Sequence, residues 1–229
     1  EKPLALSVAG AREMLAACRE AGVVLGTNHH LRNAVTHRTM RRLVADGAIG
    51  EVRMVISRQF QRLPVSGANL WRVDAKRSGG GLFVDVAVHT LDFLDFLLGP
   101  IGSVRAHAGN LGRAYAPEDT ITASWRHASG DMGSGAWCYA ADRDEEMNEI
   151  VGSRGRIRFS TTSPVPIRVL TGATVAEHPV ADPPHVHQPL IQSIVDELNG
   201  KGRCPSSGES AARTSAVVDE ILREVRAGA

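Results

Sequence analysis

A chain of 229 residues with 43% hydrophobic and 22% charged content can bury roughly 70% of the surface its unfolded form exposes. That suits one large globular domain, or a domain with part of another, and excludes a disordered segment. Lys and Arg number 26 against 25 Asp and Glu, a formal charge of +1, so no basic excess recruits nucleic acid or an anionic membrane surface.

The chain opens with Glu1-Lys2-Pro3, which lacks the basic start and apolar run of a secretion signal. Residues 4–22 read as an amphipathic helix capped by Ser7 and closed by Gly22. Val23-Val24-Leu25-Gly26-Thr27 then reads as a short buried strand. Such a helix and strand are half of a βαβ unit, whose parallel neighbours are expected earlier in a chain. The start therefore reads as the tail of an α/β domain. A second helix is predicted over about 33–46, with Val35, Met40, Leu43 and Val44 inward. From Glu51 to Arg62 the pattern alternates, with Val52, Met54, Ile56 and Phe60 on one side and Arg53, Ser57, Gln59 and Gln61 on the other. The apolar side is expected to be the covered one, leaving the polar side to solvent or to a second subunit.

After a loop holding Trp71-Arg72 and Gly79-Gly80-Gly81, a helix is predicted over about 82–98 and stopped by Gly99-Pro100. Asp85, His89, Asp92 and Asp95 interrupt its apolar run, so it is no membrane span. Strands follow at 104–109, 120–126, 132–139, 149–152, 156–160, 167–170 and 175–178, separated by turn residues at hairpin spacing. A loop opens at Asp182-Pro183-Pro184, and helices at about 188–199 and 209–226 close the chain. Strands in series flanked by helices predict an α+β fold, a mainly antiparallel open sheet with helices on one face. Cys18, Cys138 and Cys204, odd in number and far apart, fit reduced thiols and a cytoplasmic location.

Chemistry concentrates on the helix after the glycine run. Hydrophobic residues surround it, yet Asp85 and His89 lie one turn apart on a shared face, with Asp92 a turn further. A buried carboxylate is costly unless paired, and an imidazole beside one can take and return a proton. The pair could equally be a local cap and a satisfied core histidine; spacing alone leaves both open. The glycine run is either a flexible turn or a place where a ligand approaches the backbone at a helix N-terminus. Lys2 precedes a proline, so it sits in a loop where a cis Lys-Pro bond is permitted. It could donate to a substrate oxygen there, or be an ordinary solvated lysine. His29-His30 and His185-Val186-His187 have no nearby Cys, Asp or Glu cluster, so no metal is expected. No Gly-x-Ser-x-Gly elbow supports serine catalysis.

Together, Glu1-Lys2-Pro3 before a helix and Gly-Val-Val-Leu-Gly, Trp71-Arg72 before Ser78-Gly79-Gly80-Gly81, and Asp85, His89 and Asp92 in that spacing resemble the glucose–fructose oxidoreductase and inositol dehydrogenase family. The resemblance runs over the whole chain. It implies a Rossmann domain that binds NAD or NADP, followed by an α+β substrate and oligomerisation domain. The implied division is 1–28 as the last helix-strand unit of the Rossmann domain and 29–229 as the substrate domain. No G-x-G-x-x-G fingerprint occurs, so the expectation is a chain that begins near the close of the cofactor domain. The implied reaction is hydride transfer between nicotinamide and a secondary alcohol of a sugar, cyclitol or related polyol. His89 is then the expected general base, Lys2 the donor to the reacting oxygen, and Asp85 the group that orients the substrate or Lys2. Glu1, Lys2, Trp71 and Arg72 are expected near the cofactor, and His30, Arg32, Asp85 and His89 near the substrate. A homo-oligomer formed through the open sheet face is the implied assembly. A ligand-sensing protein of the same fold, or an NAD-dependent glycosidase, is the alternative.

Overall fold

The computed structural model describes residues 1–63, 70–181 and 183–227; Asp182, which the sequence puts at the start of a loop, lies outside them. Helix α1 runs Val8–Glu20, later than the predicted start at residue 4, because the Ser7 side chain accepts from the Gly10 amide at 3.1 Å and caps it there. Gly22 follows with φ +65°, in the left-handed region that ends helices. Residues 23–25 form no strand ladder. Val23 and Val24 are each 57% exposed, and only Gly26 makes a bridge, to Ser207. The predicted buried strand is therefore corrected: its apolar run reads correctly as strand-forming, but among the described residues no neighbouring strand covers it.

Helix α2, Val35–Ala45, is entered through a 3₁₀ turn at His30–Asn33. The sheet then begins with β1, Val52–Arg62, and continues after the site helix with β2 Ile101–Gly109, β3 Thr120–His127, β4 Met132–Ala141, β5 Glu145–Gly152, β6 Arg156–Phe159, β7 Ile167–Thr171 and β8 Thr174–His178. These eight strands make one sheet in the order β2-β3-β4-β1-β5-β6-β7-β8. Only β1 and β4 run parallel; the remaining neighbours are antiparallel. The fold is the mixed α+β architecture with a mainly antiparallel open sheet that the strand series predicts.

Between β1 and β2 come the short helix α3, Ala75–Ser78, a π turn at Phe83–Ala87, and helix α4, Val88–Leu98. The chain ends with α5 Gln188–Leu198, α6 Gly208–Ile221 and α7 Arg223–Ala227, so the predicted 209–226 helix breaks at Leu222. Helix α6 packs against α4, β2 and α1. One main core lies between the helices and the inner sheet face. Val55, Ile150 and Ile157 align across β1, β5 and β6. Phe83 meets Trp137 edge-on with ring centroids 5.1 Å apart, and Phe93 meets Phe159 at 5.4 Å; each such buried ring contributes about 1.5–3 kcal/mol of apolar burial.

The alternation in β1 has its faces reversed relative to expectation. Ser57 and Gln59 are 2% and 3% exposed beneath the helices, while Val52, Met54, Ile56 and Phe60 are only half-buried on the outer face. A period of two separates the faces of a strand without saying which is covered. Here the inner face carries two polar residues: Gln59 Oε1 accepts from the Tyr139 hydroxyl at 3.1 Å, and the Ser57 hydroxyl is buried without a partner among the described residues, so burial no longer tracks hydrophobicity.

Candidate active site

The site is assembled by the approach to α4. Asp74 caps α3, accepting from the Lys76 amide at 3.0 Å, and Gly79 closes it with φ +79°. Gly81 then passes so near the following strand connection that a Cβ there would stand 2.9 Å from both the Glu118 carbonyl oxygen and Pro117 Cβ. The third glycine of the run thus serves the chain's own packing. Next, Phe83–Ala87 widen into a π turn, an irregularity that recurs at functional sites. It carries Asp85 at its centre, and His89 follows in the first turn of α4.

Lys2 reaches across from the start of the chain, where the Lys2–Pro3 peptide is cis. Its Nζ donates to Asp85 Oδ1 at 2.7 Å and to the Asp85 carbonyl oxygen at 2.5 Å. Arg72 Nη1 donates to the other carboxylate oxygen, Oδ2. Burial alone would raise the Asp85 pKa, but the hydrogen bonds and charges of Lys2 and Arg72 outweigh it and hold the carboxyl below its ordinary value. His89 goes the other way. Burial, helped by the charge of Lys2 and by His29 and His30, lowers its pKa to about 3 against the pull of Asp85, so its ring is uncharged at neutral pH. His89 Nδ1 is buried without a hydrogen-bond partner among the described residues.

Beside His89 lies a cavity of about 290 Å³, lined also by His30, His37, Thr36, the segment Ser160–Ser163, and Val186. The ring centroids of His30 and His89 stand 5.7 Å apart, and those of His30 and His187 4.5 Å. The structure thus brings together Lys2, Arg72, Asp85, His89 and His30. Trp71 stays at the rim, 40% exposed, with the Arg72 guanidinium 5.2 Å from its ring. Glu1 turns instead to a separate apolar groove of about 730 Å³ formed by residues 23–28 and α5.

Arg32 is not at this cavity, which corrects the expectation that it lines the cleft. It is 3% exposed and clamps Asp92 through Nε at 2.8 Å and Nη2 at 2.7 Å, with Asp95 at 3.2 Å. A guanidinium with carboxylates in bidentate reach behind it satisfies its donors inward. The Ser160–Ser163 wall was missed by the sequence reading; its signal is a run of four consecutive hydroxyl residues between two strands.

A family profile described as the GFO/IDH/MocA C-terminal domain matches residues 37–158. The chain is 33% identical over 236 residues to a 1,5-anhydro-D-fructose reductase of Ensifer adhaerens, covering all of this chain and 70% of that protein. It is 28% identical over 246 residues to a D-apiose dehydrogenase of Paraburkholderia graminis, covering all of this chain and 64% of the relative. Among solved structures it is similar to the WlbA dehydrogenase from Bordetella pertussis in complex with NADH and UDP-GlcNAcA, with a TM-score of 0.78, 26% identity, and coverage of 100% of this chain and 69% of that one. The chain belongs to the GFO/IDH/MocA family. It is an NAD(P)-dependent oxidoreductase.

Proposed function

We propose that this chain carries the substrate site of a dehydrogenase or reductase that moves a hydride between nicotinamide and a secondary alcohol of a sugar, cyclitol or related polyol. The observation that carries the proposal is the convergence of Lys2 and Arg72 on Asp85, one helical turn from His89, which itself lines a cavity of about 290 Å³. Oxidation of CH–OH requires the hydroxyl proton to leave; the uncharged His89 ring can receive it. The Lys2 ammonium, held by Asp85, donates to the same oxygen and stabilises its developing charge. In reduction the same groups return the proton. His30 lines the same cavity, its ring 5.7 Å from that of His89, and would border the substrate. A sensor of the same fold would have no need of this complete set.

The residues present suit the nicotinamide end of the cofactor: Arg72 Nε is buried without a hydrogen-bond partner among the described residues, next to the exposed Trp71 ring. Bound there, the nicotinamide supplies the hydride donor or acceptor. Residues 1–28 would belong to the nucleotide-binding unit and 29–229 to the substrate domain. A second copy of the chain would cover the outer sheet face, where half-buried Met54, Ile56 and Phe60 lie beside the Arg58–Glu145 and Arg158–Glu149 ion pairs, both at 2.5 Å. Three cysteines without disulfides suit a cytoplasmic location, and no helix of the described residues is long and apolar enough to cross a membrane. The test is turnover by the full-length protein of 1,5-anhydro-D-fructose, D-apiose and myo-inositol, each with NAD(H) and NADP(H). Turnover of at least one is expected; none with any pair overturns the proposal.

A further inference from the structure

One wall of the cavity is the turn Ser160-Thr161-Thr162-Ser163 between β6 and β7. A turn leaves the sheet ladder, so its amides must find other acceptors. The carboxylate of Glu146, on β5, provides them. Its Oε1 accepts from the Thr161 amide at 2.6 Å and from Asn148 Nδ2 at 3.1 Å. Its Oε2 accepts from the Thr162 amide at 3.1 Å, from Ser160 Oγ at 2.5 Å, and from the Thr162 hydroxyl. Bonds to an ionised oxygen are the stronger kind, and here one carboxylate gathers almost the whole turn. The Ser160 hydroxyl passes the order on, accepting from the Ser163 amide at 2.8 Å.

The wall is also tied to the site helix. Thr161 Oγ1 accepts from Asn148 Nδ2 at 3.0 Å and from Thr90 Oγ1 at 3.1 Å, and Thr90 directly follows His89. Glu146 itself does not line the cavity, so it can act there only through the turn. We propose that Glu146 is a positioning residue that shapes Ser160–Ser163 into the wall recognising the substrate's hydroxyl groups away from the reacting carbon, which rests on the cavity being the substrate site. With their protons committed to Glu146, the Ser160 and Thr162 hydroxyls keep acceptor lone pairs, while Thr161, which already accepts twice, keeps its proton; acceptors and a donor fixed side by side match a hydroxyl-rich, uncharged ligand. Preorganisation of that wall favours binding rather than the proton transfer at His89.

The isosteric Glu146→Gln keeps one carbonyl oxygen and turns an amide NH₂ toward donors, breaking part of the cradle; Glu146→Asp keeps both oxygens on a shorter arm. In the full-length enzyme, E146Q is expected to raise KM for the sugar or polyol about tenfold or more. Its kcat should stay within about threefold and KM for the nucleotide should not move. E146D is expected to recover part of the loss. An unchanged polyol KM, or kcat and both KM values worsening together with Tm, overturns the assignment. Should the wild type turn over none of the three polyols, the catalytic reading fails, while Glu146 is still judged by hydrogen exchange at 160–163 with those same compounds. Protection in the wild type that E146Q loses supports the positioning role, and no protection in the wild type overturns it.

Discussion

The helix that begins at Phe83 carries two clusters built from the same three kinds of group. Asp85 meets Lys2 with His89 one turn on; Asp92 meets Arg32, with His29 Nδ1 3.6 Å from its carboxylate. In the first cluster Lys2 and Asp85 keep 15% and 17% of their side chains exposed, and His89 lines a cavity. In the second, Arg32 and Asp92 are sealed, Asp92 also accepts from Thr214 Oγ1 at 2.9 Å, and Asp95 binds Arg213 at 2.7 Å. Composition does not separate a reaction centre from an internal brace. Access does: His89 lines the cavity, whereas His29, whose two ring nitrogens also lack a hydrogen-bond partner among the described residues, is sealed at 1% exposure. Burial holds His29 uncharged against the pull of Asp92, so the enclosed triad has nowhere to send a proton.

The contrast can be broken from either side. His89→Ala in the full-length enzyme should lower kcat by about 10²–10⁴-fold with Tm nearly unchanged; a wild-type rate would remove His89 from proton transfer. Asp92→Ala should do the reverse. Removing the bidentate partner of the buried Arg32, which then keeps Asp95 at 3.2 Å and the Pro205 carbonyl at 3.1 Å, is expected to cost about 3 kcal/mol of stability, read by denaturant unfolding, while the properly folded fraction keeps its turnover. A loss of turnover with stability intact would erase the distinction between the clusters.

A smaller effect tests burial directly. His37 is packed edge-on against Phe93 at 4.0 Å with both ring nitrogens unpartnered among the described residues, and burial lowers its pKa from 6.5 to about 3. The unfolded chain therefore takes up this proton first as pH falls. The contribution of His37 to stability is intact above 6.5 and is lost toward pH 3. His37→Phe should flatten the decline of Tm between those values; an unaltered slope would mean that His37 is not the group responsible. Least of all, Arg19→Ala should change stability by under about 0.5 kcal/mol, because the Arg19–Glu209 pair at 3.2 Å lies in solvent.

Much of this was legible in the residues. The strands from 101 to 178 announce themselves by alternation and turns, and the Asp85–His89 helix by its charged positions in an apolar run. Three things were not. The strand at 23–27 reads from composition, but a ladder needs a neighbour that composition does not supply. The covered face of β1 is not the apolar one, because a period of two does not say which face the helices cover and Gln59 is accommodated there by its bond from the Tyr139 hydroxyl. Arg32 is expected at the cleft with His30, just past residues 23–27, whereas the 3₁₀ turn at His30–Asn33 sends the two side chains in different directions. Glu146 escaped notice for a related reason: its importance lies in the amides of a turn fifteen residues later, which no local pattern announces.

The π turn at Phe83–Ala87 makes the spacing of this helix as consequential as its composition. A π turn encloses one residue more than an α turn, so removing one residue between Phe83 and Ala87 would let it close to α geometry and leave the helix from Val88 on its course. The displacement would fall on Asp85 and its contacts with Lys2 and Arg72. A codon deletion between His89 and Asp92 would instead turn all that follows by about 100° and take Asp92 from Arg32.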